Sequence, residues 1–179
     1  MAKHYRSVAL TSHLIKFFER IAREKIAEHL DKHDLYNADQ HGFRSGRSCL
    51  SQLLDHQEGI VEALSDGGGY DVIYTDFAKA FDKCDHNILA HKLKAVGIIG
   101  KIGKCIYNFL TNRTQRVLVD GAKSIHVEVT SSVPQGTVLA PILFLIMISD
   151  INKNVRDSKV SSFADDTKIS RVIHNKEDV

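Results

Sequence analysis

Three aspartates lie where a folded chain often places ligand-binding carboxylates. Asp76 ends the apolar run YDVIYTDF, while Asp165 and Asp166 stand side by side in SSFADDTK. Carboxylate oxygens are hard ligands suited to Mg²⁺, and carboxylates brought close together repel one another unless cations neutralise them. If these aspartates lie on neighbouring strands, they predict a two-magnesium centre that holds a nucleoside triphosphate and activates an attacking hydroxyl.

Each acidic site also has a simpler interpretation. Asp76 precedes a helical pattern and suits a helix N-cap, a position at which Asp is enriched. Asp165 and Asp166 suit the tip of a turn. The long separation of the two sites along the chain does not by itself establish that they are close, so the residues alone leave both interpretations open.

The sequence around the aspartates predicts the elements that position them. YDVIYTDF is predicted to be a buried strand, followed by a helix with Asp85 as its cap and Gly97 as its terminator. KVSSFADDTKISRVI is predicted to form two short strands joined at residues 164–167. The paired aspartates are therefore expected at a hairpin tip.

Other helices and one hairpin follow from periodicity and turn residues. Apolar positions at helical spacing predict a helix over residues 12–30 with Ser12 as N-cap, and a second helix after Ser48. A short helix is predicted over residues 102–110, and Pro141 suits the first turn of another. The pair at 120–121, Asp-Gly, predicts a tight turn between alternating apolar runs.

Composition predicts a globular chain with a localised basic region. The 179 residues are 43% hydrophobic and carry a net charge of +2, values typical of a domain with a core. Between Lys83 and Lys123 there are eight basic and two acidic residues. Such a region can bind a polyanion, although basic residues at this density more commonly form a solvated surface.

Cysteine usage and hydropathy predict an intracellular protein. The three cysteines are an odd number without a CxxC spacing, which favours neither a zinc knuckle nor a disulfide framework. The longest apolar stretch is interrupted by Pro141 and falls short of the roughly 20 residues of a membrane span. With no signal-like stretch at the start, we expect no membrane association and no secretion, and a location in the nucleus, the cytoplasm or both.

Five ordered stretches of the chain resemble the successive motifs of non-LTR retrotransposon reverse transcriptases of the LINE-type, jockey-like group. The first two, which resemble that family's finger motifs, are YRSVALTSHLIKFFERI and QHGFRSGRSCLSQLL. The others are YTDFAKAFDKCDHNILAHKL, SSVPQGTVLAPILFLIMISDI and SSFADDTK. The resemblance covers nearly the whole chain, and five ordered motifs are far more specific than one aspartate pair.

The resemblance implies an α+β fold, the palm and fingers of a right-hand polymerase with an antiparallel palm sheet and packed helices. Fingers are expected at about residues 1–68 and 86–133, and palm at 69–85 and 134–179. Asp76 is expected on a central strand beside the aspartate hairpin. The thumb and primer grip of the family are expected to be missing from these 179 residues, which would weaken the hold on primer and template.

The resemblance also assigns catalytic and metal-binding roles. Asp76 and Asp165 correspond to the first and second catalytic carboxylates, and Asp166 to a third that is less directly bound to metal. The backbone carbonyl of Phe77 corresponds to a further metal contact. The implied cofactor is a pair of Mg²⁺ ions, with Mn²⁺ as an alternative.

Further positions are implied to bind the deoxynucleotide. Phe81 corresponds to the bulky residue that blocks a ribose 2′-hydroxyl, although a core aromatic is an equal interpretation. Gln135 corresponds to a residue near the nascent base pair, where Gly136 would let the backbone approach closely. Arg6 and Arg44 correspond to finger positions that reach the triphosphate through guanidinium donors.

The function implied is RNA-directed DNA synthesis, with an RNA template, a DNA primer and deoxynucleoside triphosphates as partners. A different class of function is a truncated, inactive retroelement fragment that retains the fold and binds nucleic acid. A third is a magnesium-dependent phosphohydrolase, which predicts phosphate release from small phosphoesters without a template.

Overall fold

The fold combines helices with short strands, and a computed structural model describes residues 8–175 and 178. The helices are α1 (His13–Lys32), α2 (Cys49–Ser65), α3 (His86–Ala95), α4 (Gly100–Leu110) and α5 (Ala140–Met147). The strands are β1 (Gly69–Thr75), β2 (Thr114–Gln115), β3 (Leu118–Val119), β4 (Ala122–Lys123), β5 (Val127–Glu128), β6 (Lys159–Phe163) and β7 (Asp166–Ile173). The antiparallel pairing of the strands beside packed helices confirms the predicted α+β class.

The chain folds into two compact units, each assembled from separate segments. The first unit comprises Met1–Leu35 and Lys79–Met147, and the second comprises Tyr36–Ala78 and Ile148–Val179. All three predicted catalytic aspartates belong to the second unit. The division of the chain into fingers and palm ranges stays a prediction.

Helix ends follow the predicted caps. Ser12 and Ser48 both accept a backbone N–H of the helix that follows, and Ser51 completes a capping box with Ser48. The carboxylate of Asp85 accepts two backbone N–H groups at the start of α3, which lowers its pKa below the usual value. Gly97 adopts φ +81° just beyond α3, a conformation that glycine adopts without steric cost.

The core of the first unit surrounds α5. This helix is apolar on all sides, and six of its eight residues are buried, as expected for a helix without a polar face. It contacts α1 and α3, and α4 packs against α3. The other helices contribute buried residues from one side each: Ile26, Leu30, Leu89, Leu93, Ile106 and Leu110. In the described part of the chain, every helix is too short or too polar to cross a membrane.

The predicted hairpin around Asp120 and Gly121 is confirmed. β3 pairs with β4, and β2 pairs with β5 farther from the turn. Asp120 and Gly121 have φ values of +48° and +82°, the left-handed pair that a two-residue turn requires.

The second unit is built on a three-stranded antiparallel sheet in the order β1-β7-β6. Helix α2 contacts β1 and β6. The expectation that β1 is buried and central was wrong. β7 occupies the centre, and the side chains of Ile73 and Tyr74 in β1 are 63% and 72% exposed. An apolar run predicts burial only if both faces and both edges of the strand are covered, and β1 pairs on one edge alone within the described residues.

Candidate catalytic site

The hairpin between β6 and β7 presents the aspartate pair. β6 ends at Phe163 and β7 begins at Asp166, with which Phe163 pairs, so that Ala164 and Asp165 form the turn. Asp165 is half-buried and Asp166 is exposed. The predicted hairpin tip is confirmed, although the second strand begins at Asp166 itself.

Asp76 lies at the same end of the sheet. It directly follows Thr75, which pairs with Thr167 in β7 and donates its hydroxyl to the Thr167 carbonyl at 3.2 Å. Asp76 is the first residue beyond this last pair, and Asp166 is the residue just before Thr167 in β7. The sheet therefore brings the three predicted carboxylates to one end.

The donor set at this end suits a divalent cation. Three carboxylates offer hard oxygen ligands, and Mg²⁺ is commonly held by one or two carboxylates together with water and phosphate oxygens. Among residues 8–175 and 178, no group of three or more His, Cys, Asp or Glu side chains is placed to hold a metal ion by itself. A Mg²⁺ ion at this end would therefore need oxygens of water or substrate as further ligands.

One buried side chain at the hairpin tip was missed by the sequence analysis. Gln40 is only 3% exposed. Its Oε1 accepts from the backbone N–H groups of Ala164 and Gly42 at 2.8 and 2.7 Å, and its Nε2 donates to the Ala164 carbonyl at 3.2 Å. The one available sequence signal was its place in QHGFRSG, where a polar residue precedes a glycine.

The neighbouring His41 is held as a neutral imidazole. Its Nε2 lies 3.2 Å from Nη1 of Arg47, and its Nδ1 lies 2.9 Å from the hydroxyl of Ser51. Because arginine can only donate, Nε2 is the acceptor and the proton resides on Nδ1. Burial, followed by the charge of Arg47, lowers the pKa of His41. Burial also lowers the pKa of His56 on α2 and of Lys168 on β7.

We expect the folded chain to lose stability as the pH falls through about 6.5, the ordinary histidine pKa. The folded-state pKa values of His41 and His56 are lowered. The unfolded chain therefore takes up protons at a higher pH than the folded chain. As a result, the free energy of unfolding decreases as the pH is lowered. Urea titrations at pH 7.5 and 5.5 measure this difference.

The double variant His41→Gln/His56→Gln is expected to show a smaller pH difference than the wild type, whatever its stability at pH 7.5. His13→Gln, which changes an exposed histidine, serves as the control. An unchanged pH difference in the double variant would contradict the assignment.

The predicted triphosphate contacts are only partly described. Arg6 lies outside the described residues. Arg44 donates from Nη1 to the carbonyl of Asn37 at 2.9 Å, and its guanidinium lies 4.7 Å from the centroid of the Tyr36 ring. These contacts hold Arg44 within the loop before α2, and its role at a triphosphate stays a prediction.

The remaining predicted substrate residues lie in the first unit. The rings of Phe81 and Phe144 stack at 4.2 Å with an angle of 13°, so Phe81 has the packing of a core aromatic on one face and is half-exposed overall. Gly136 adopts φ +92°, and a Cβ there would lie 2.9 Å from the Ala9 carbonyl. The backbone at Gly136 therefore passes close to Ala9, whose N–H donates to the Gln135 carbonyl at 2.7 Å. The predicted approach of Gly136 to a nascent base pair stays a prediction.

A buried glutamate supports the loop that carries Gln135 and Gly136. Glu19 on α1 is 3% exposed. Its Oε2 accepts from the backbone N–H groups of Val138 and Leu139 at 2.6 and 3.1 Å, just before α5. The sequence analysis missed this residue, for which the available signal was an acidic side chain beside the apolar positions of α1.

A groove between α3 and α4 is a second feature of the first unit. Its volume is about 470 Å³. Leu93 and Ile98 form part of its apolar floor, while exposed Lys94, Lys104 and Tyr107 line its rim. His91 and Asn87 add polar groups, and the described residues that line the groove include no acidic side chain.

An antiparallel sheet with packed helices and carboxylates at one end is compatible with a polymerase palm, and the comparisons with known proteins identify the class. Residues 2–177 match the family model for reverse transcriptase (RNA-dependent DNA polymerase). The chain therefore belongs to the reverse transcriptase family.

Curated relatives include RNA-directed DNA polymerases of Drosophila melanogaster mobile elements. The chain is 28% identical to that of jockey over 92% of its own length and 19% of the relative, and 27% identical to the probable polymerase of transposon BS over 90% and 18%. The predicted similarity to jockey-like retrotransposon enzymes is confirmed. The chain spans about a fifth of the length of these relatives.

Solved structures of telomerases have the same fold. A telomerase from Candida albicans in complex with a fragment of telomeric RNA aligns with a TM-score of 0.63 and 13% identity, covering 89% of this chain and 30% of that one. An apo telomerase from Candida tropicalis aligns with a TM-score of 0.62 and 16% identity, covering 91% and 35%. At such identities the likeness concerns the fold alone, and it confirms the predicted palm and fingers architecture.

Proposed function

We propose that this chain is the palm and fingers part of a retrotransposon RNA-directed DNA polymerase, which extends a primer 3′-hydroxyl with deoxynucleotides on an RNA template. The observation that carries the proposal is the placement of Asp76, Asp165 and Asp166 at one end of the β1-β7-β6 sheet. The reverse transcriptase family match over residues 2–177 gives that carboxylate site its polymerase interpretation.

In the proposed reaction the protein mainly positions reactants and balances charge. Asp76 and Asp165 would hold two Mg²⁺ ions, with Asp166 and the Phe77 carbonyl as further contacts; Mn²⁺ is an alternative. Bound divalent cations supply neutralisation of the triphosphate and activation of the primer hydroxyl. The exposure of Asp76 and Asp166 leaves the site open to substrate oxygens.

The family resemblance supports further roles toward the nucleotide, each proposed for a residue by itself. Phe81, held flat against Phe144, is proposed to exclude a ribose 2′-hydroxyl because a stacked ring has little freedom to move aside. Gln135 and Gly136 are proposed to lie near the nascent base pair. Arg44, together with Arg6, is proposed to meet the triphosphate.

RNA-templated primer extension by the polymerase that contains this chain tests the proposal directly. We expect template-dependent incorporation of deoxynucleotides. A magnesium-dependent phosphohydrolase would instead release phosphate from small phosphoesters without a template, and an inactive fragment would bind template and primer without extending them. Either of those two outcomes would overturn the proposal.

The groove between α3 and α4 supports a nucleic-acid partner. Lys94 and Lys104 form no ion pair among the described residues, and Tyr107 presents a partly exposed ring beside them. Lysine ammonium groups bind phosphates by charge attraction, and an aromatic ring can stack on an unpaired base. We therefore assign single-stranded RNA or DNA, rather than an acidic protein, to this surface.

Removing both groove lysines tests this assignment. For Lys94→Ala/Lys104→Ala we expect weaker binding of a single-stranded RNA oligonucleotide, and a slope of log K against log salt that is shallower by about 1.4. Lys83→Ala/Lys101→Ala removes the same charge from exposed positions outside the groove. Fluorescence anisotropy across salt concentrations measures both, and equal effects would show a general charge effect instead of a site.

A further inference from the structure

We propose that Gln40 is a positioning residue that sets the geometry of the Asp165 carboxylate, an inference that rests on the proposed catalytic role of that aspartate. Gln40 comes from the loop before α2, far from the hairpin in sequence. Its amide nevertheless bonds to both backbone polar groups of Ala164, the residue immediately before Asp165.

The chemistry of the contact requires a carboxamide. The Ala164 N–H needs an acceptor and the Ala164 carbonyl needs a donor, and the Gln40 side chain supplies both at 2.8 and 3.2 Å. A glutamine is one of the few side chains that offer an acceptor and a donor side by side. Its burial excludes competing water, so these groups have no ready substitute for the amide.

The turn needs such support because of its backbone conformation. Ala164 has φ +56°, in the left-handed region that a residue with a Cβ atom disfavours. A residue in this region persists when its surroundings determine it fully. The two hydrogen bonds from Gln40 hold Ala164 in that conformation, and the direction of the following Asp165 side chain depends on it.

The backbone beside Gln40 is locked onto the same hairpin. The His41 N–H donates to the Ser162 carbonyl at 2.8 Å, and the Ser162 N–H donates to the Asp39 carbonyl at 2.9 Å. At Gly42 an added Cβ would lie 2.4 Å from the Ala164 nitrogen. Only a residue without a Cβ can therefore approach the hairpin tip this closely. Residues 39–42 therefore form a rigid clasp on β6 and the tip, and we use the name clasp for this segment.

A positioning role predicts a loss in the chemical step rather than in substrate binding. Small displacements of a catalytic group reduce rates strongly, by about a hundredfold for 1 Å. In the complete polymerase, we expect Gln40→Leu to lower kcat at least about tenfold and to raise the Mg²⁺ concentration for half-maximal activity, with KM for the deoxynucleotide little changed. Gln52→Leu, which removes a half-buried glutamine that contacts Ser161 of β6 but not the tip, is the matched control.

Gln40→Glu tests the hydrogen-bond pattern while keeping the side chain's shape. The ionised carboxylate lacks the donor to the Ala164 carbonyl, whereas the protonated form regains it. At pH 8, where the carboxylate is ionised, we expect Gln40→Glu to lower kcat and to raise the Mg²⁺ concentration for half-maximal activity, with KM for the deoxynucleotide little changed. A glutamine that does not position Asp165 predicts wild-type values of both kcat and the Mg²⁺ requirement.

The outcomes separate this inference from the proposed function. If Asp165→Asn abolishes extension while Gln40→Leu matches Gln52→Leu in kcat and Mg²⁺ requirement, the clasp does not position the carboxylate and the inference is wrong. If Gln40→Leu unfolds, wild-type kcat and Mg²⁺ requirement in Gln40→Glu overturn the inference equally. If Asp165→Asn extends primers normally, the proposed function itself is wrong.

Discussion

Asp76→Asn and Asp165→Asn are each expected to reduce RNA-templated primer extension by about a thousandfold or more, equivalent to roughly 4 kcal/mol of transition-state stabilisation. Asparagine preserves the size of the side chain but removes the negative charge that holds a divalent cation. Asp166→Asn is expected to lose less, since its proposed contact with metal is less direct. Steady-state extension rates at saturating Mg²⁺ measure these effects.

Folding is not expected to suffer in these variants. Asp76 and Asp166 are exposed and lie at the same end of the sheet, so neutralising one carboxylate relieves repulsion instead of breaking a stabilising contact. Asp71→Asn makes the same chemical change at an exposed position in β1 that pairs with Arg171, away from the site. We expect that control to extend primers at nearly the wild-type rate, and full activity in Asp165→Asn would exclude the proposed catalytic centre.

Glu19→Ala is expected to lower the free energy of unfolding by about 2–4 kcal/mol, because it leaves one buried and one partly buried N–H group just before α5 without their acceptor. The lost carboxylate also faces the positive end of the helix dipole. Its contact with Leu139 is buried and its contact with Val138 is partly buried. Urea denaturation followed by circular dichroism measures the change.

Two companion variants sharpen the test of Glu19. Glu19→Gln retains an oxygen acceptor and gives up only the charge, so we expect a smaller loss than for alanine. Glu24→Ala removes an exposed glutamate from the same helix, and a surface change of this kind alters stability by no more than about 0.5 kcal/mol. Equal losses for Glu19→Ala and Glu24→Ala would show that the buried contacts contribute nothing.

Local features of the fold were predictable because their causes are local. Ser12, Ser48 and Asp85 cap helices through side chains that reach amides two or three residues away. The Asp120-Gly121 turn follows from backbone preferences of those two residues. The aspartate hairpin belongs to the same group, since alternating residues on either side of a short polar tip specify it.

The position of β1 was not predictable by the same reasoning. Its sequence predicts a buried strand. In the described part of the sheet, however, β1 pairs with one neighbour, β7, and the side chains of Ile73 and Tyr74 are exposed. An apolar run indicates that a segment tends to be buried. Whether it is buried depends on which elements pack against it in the folded protein.

By itself, the sequence determined the helices, the hairpins, the reverse transcriptase family and the aspartates that form the candidate site. Only the tertiary structure decided that β7 is the central strand, that Gln40 hydrogen-bonds to the residue before Asp165, and that Glu19 accepts N–H groups just before α5. The physical reason is the range of the interactions. Caps and turns are satisfied within a few residues, whereas Gln40 and Glu19 bond to amides more than a hundred residues away, and no local pattern identifies a distant partner.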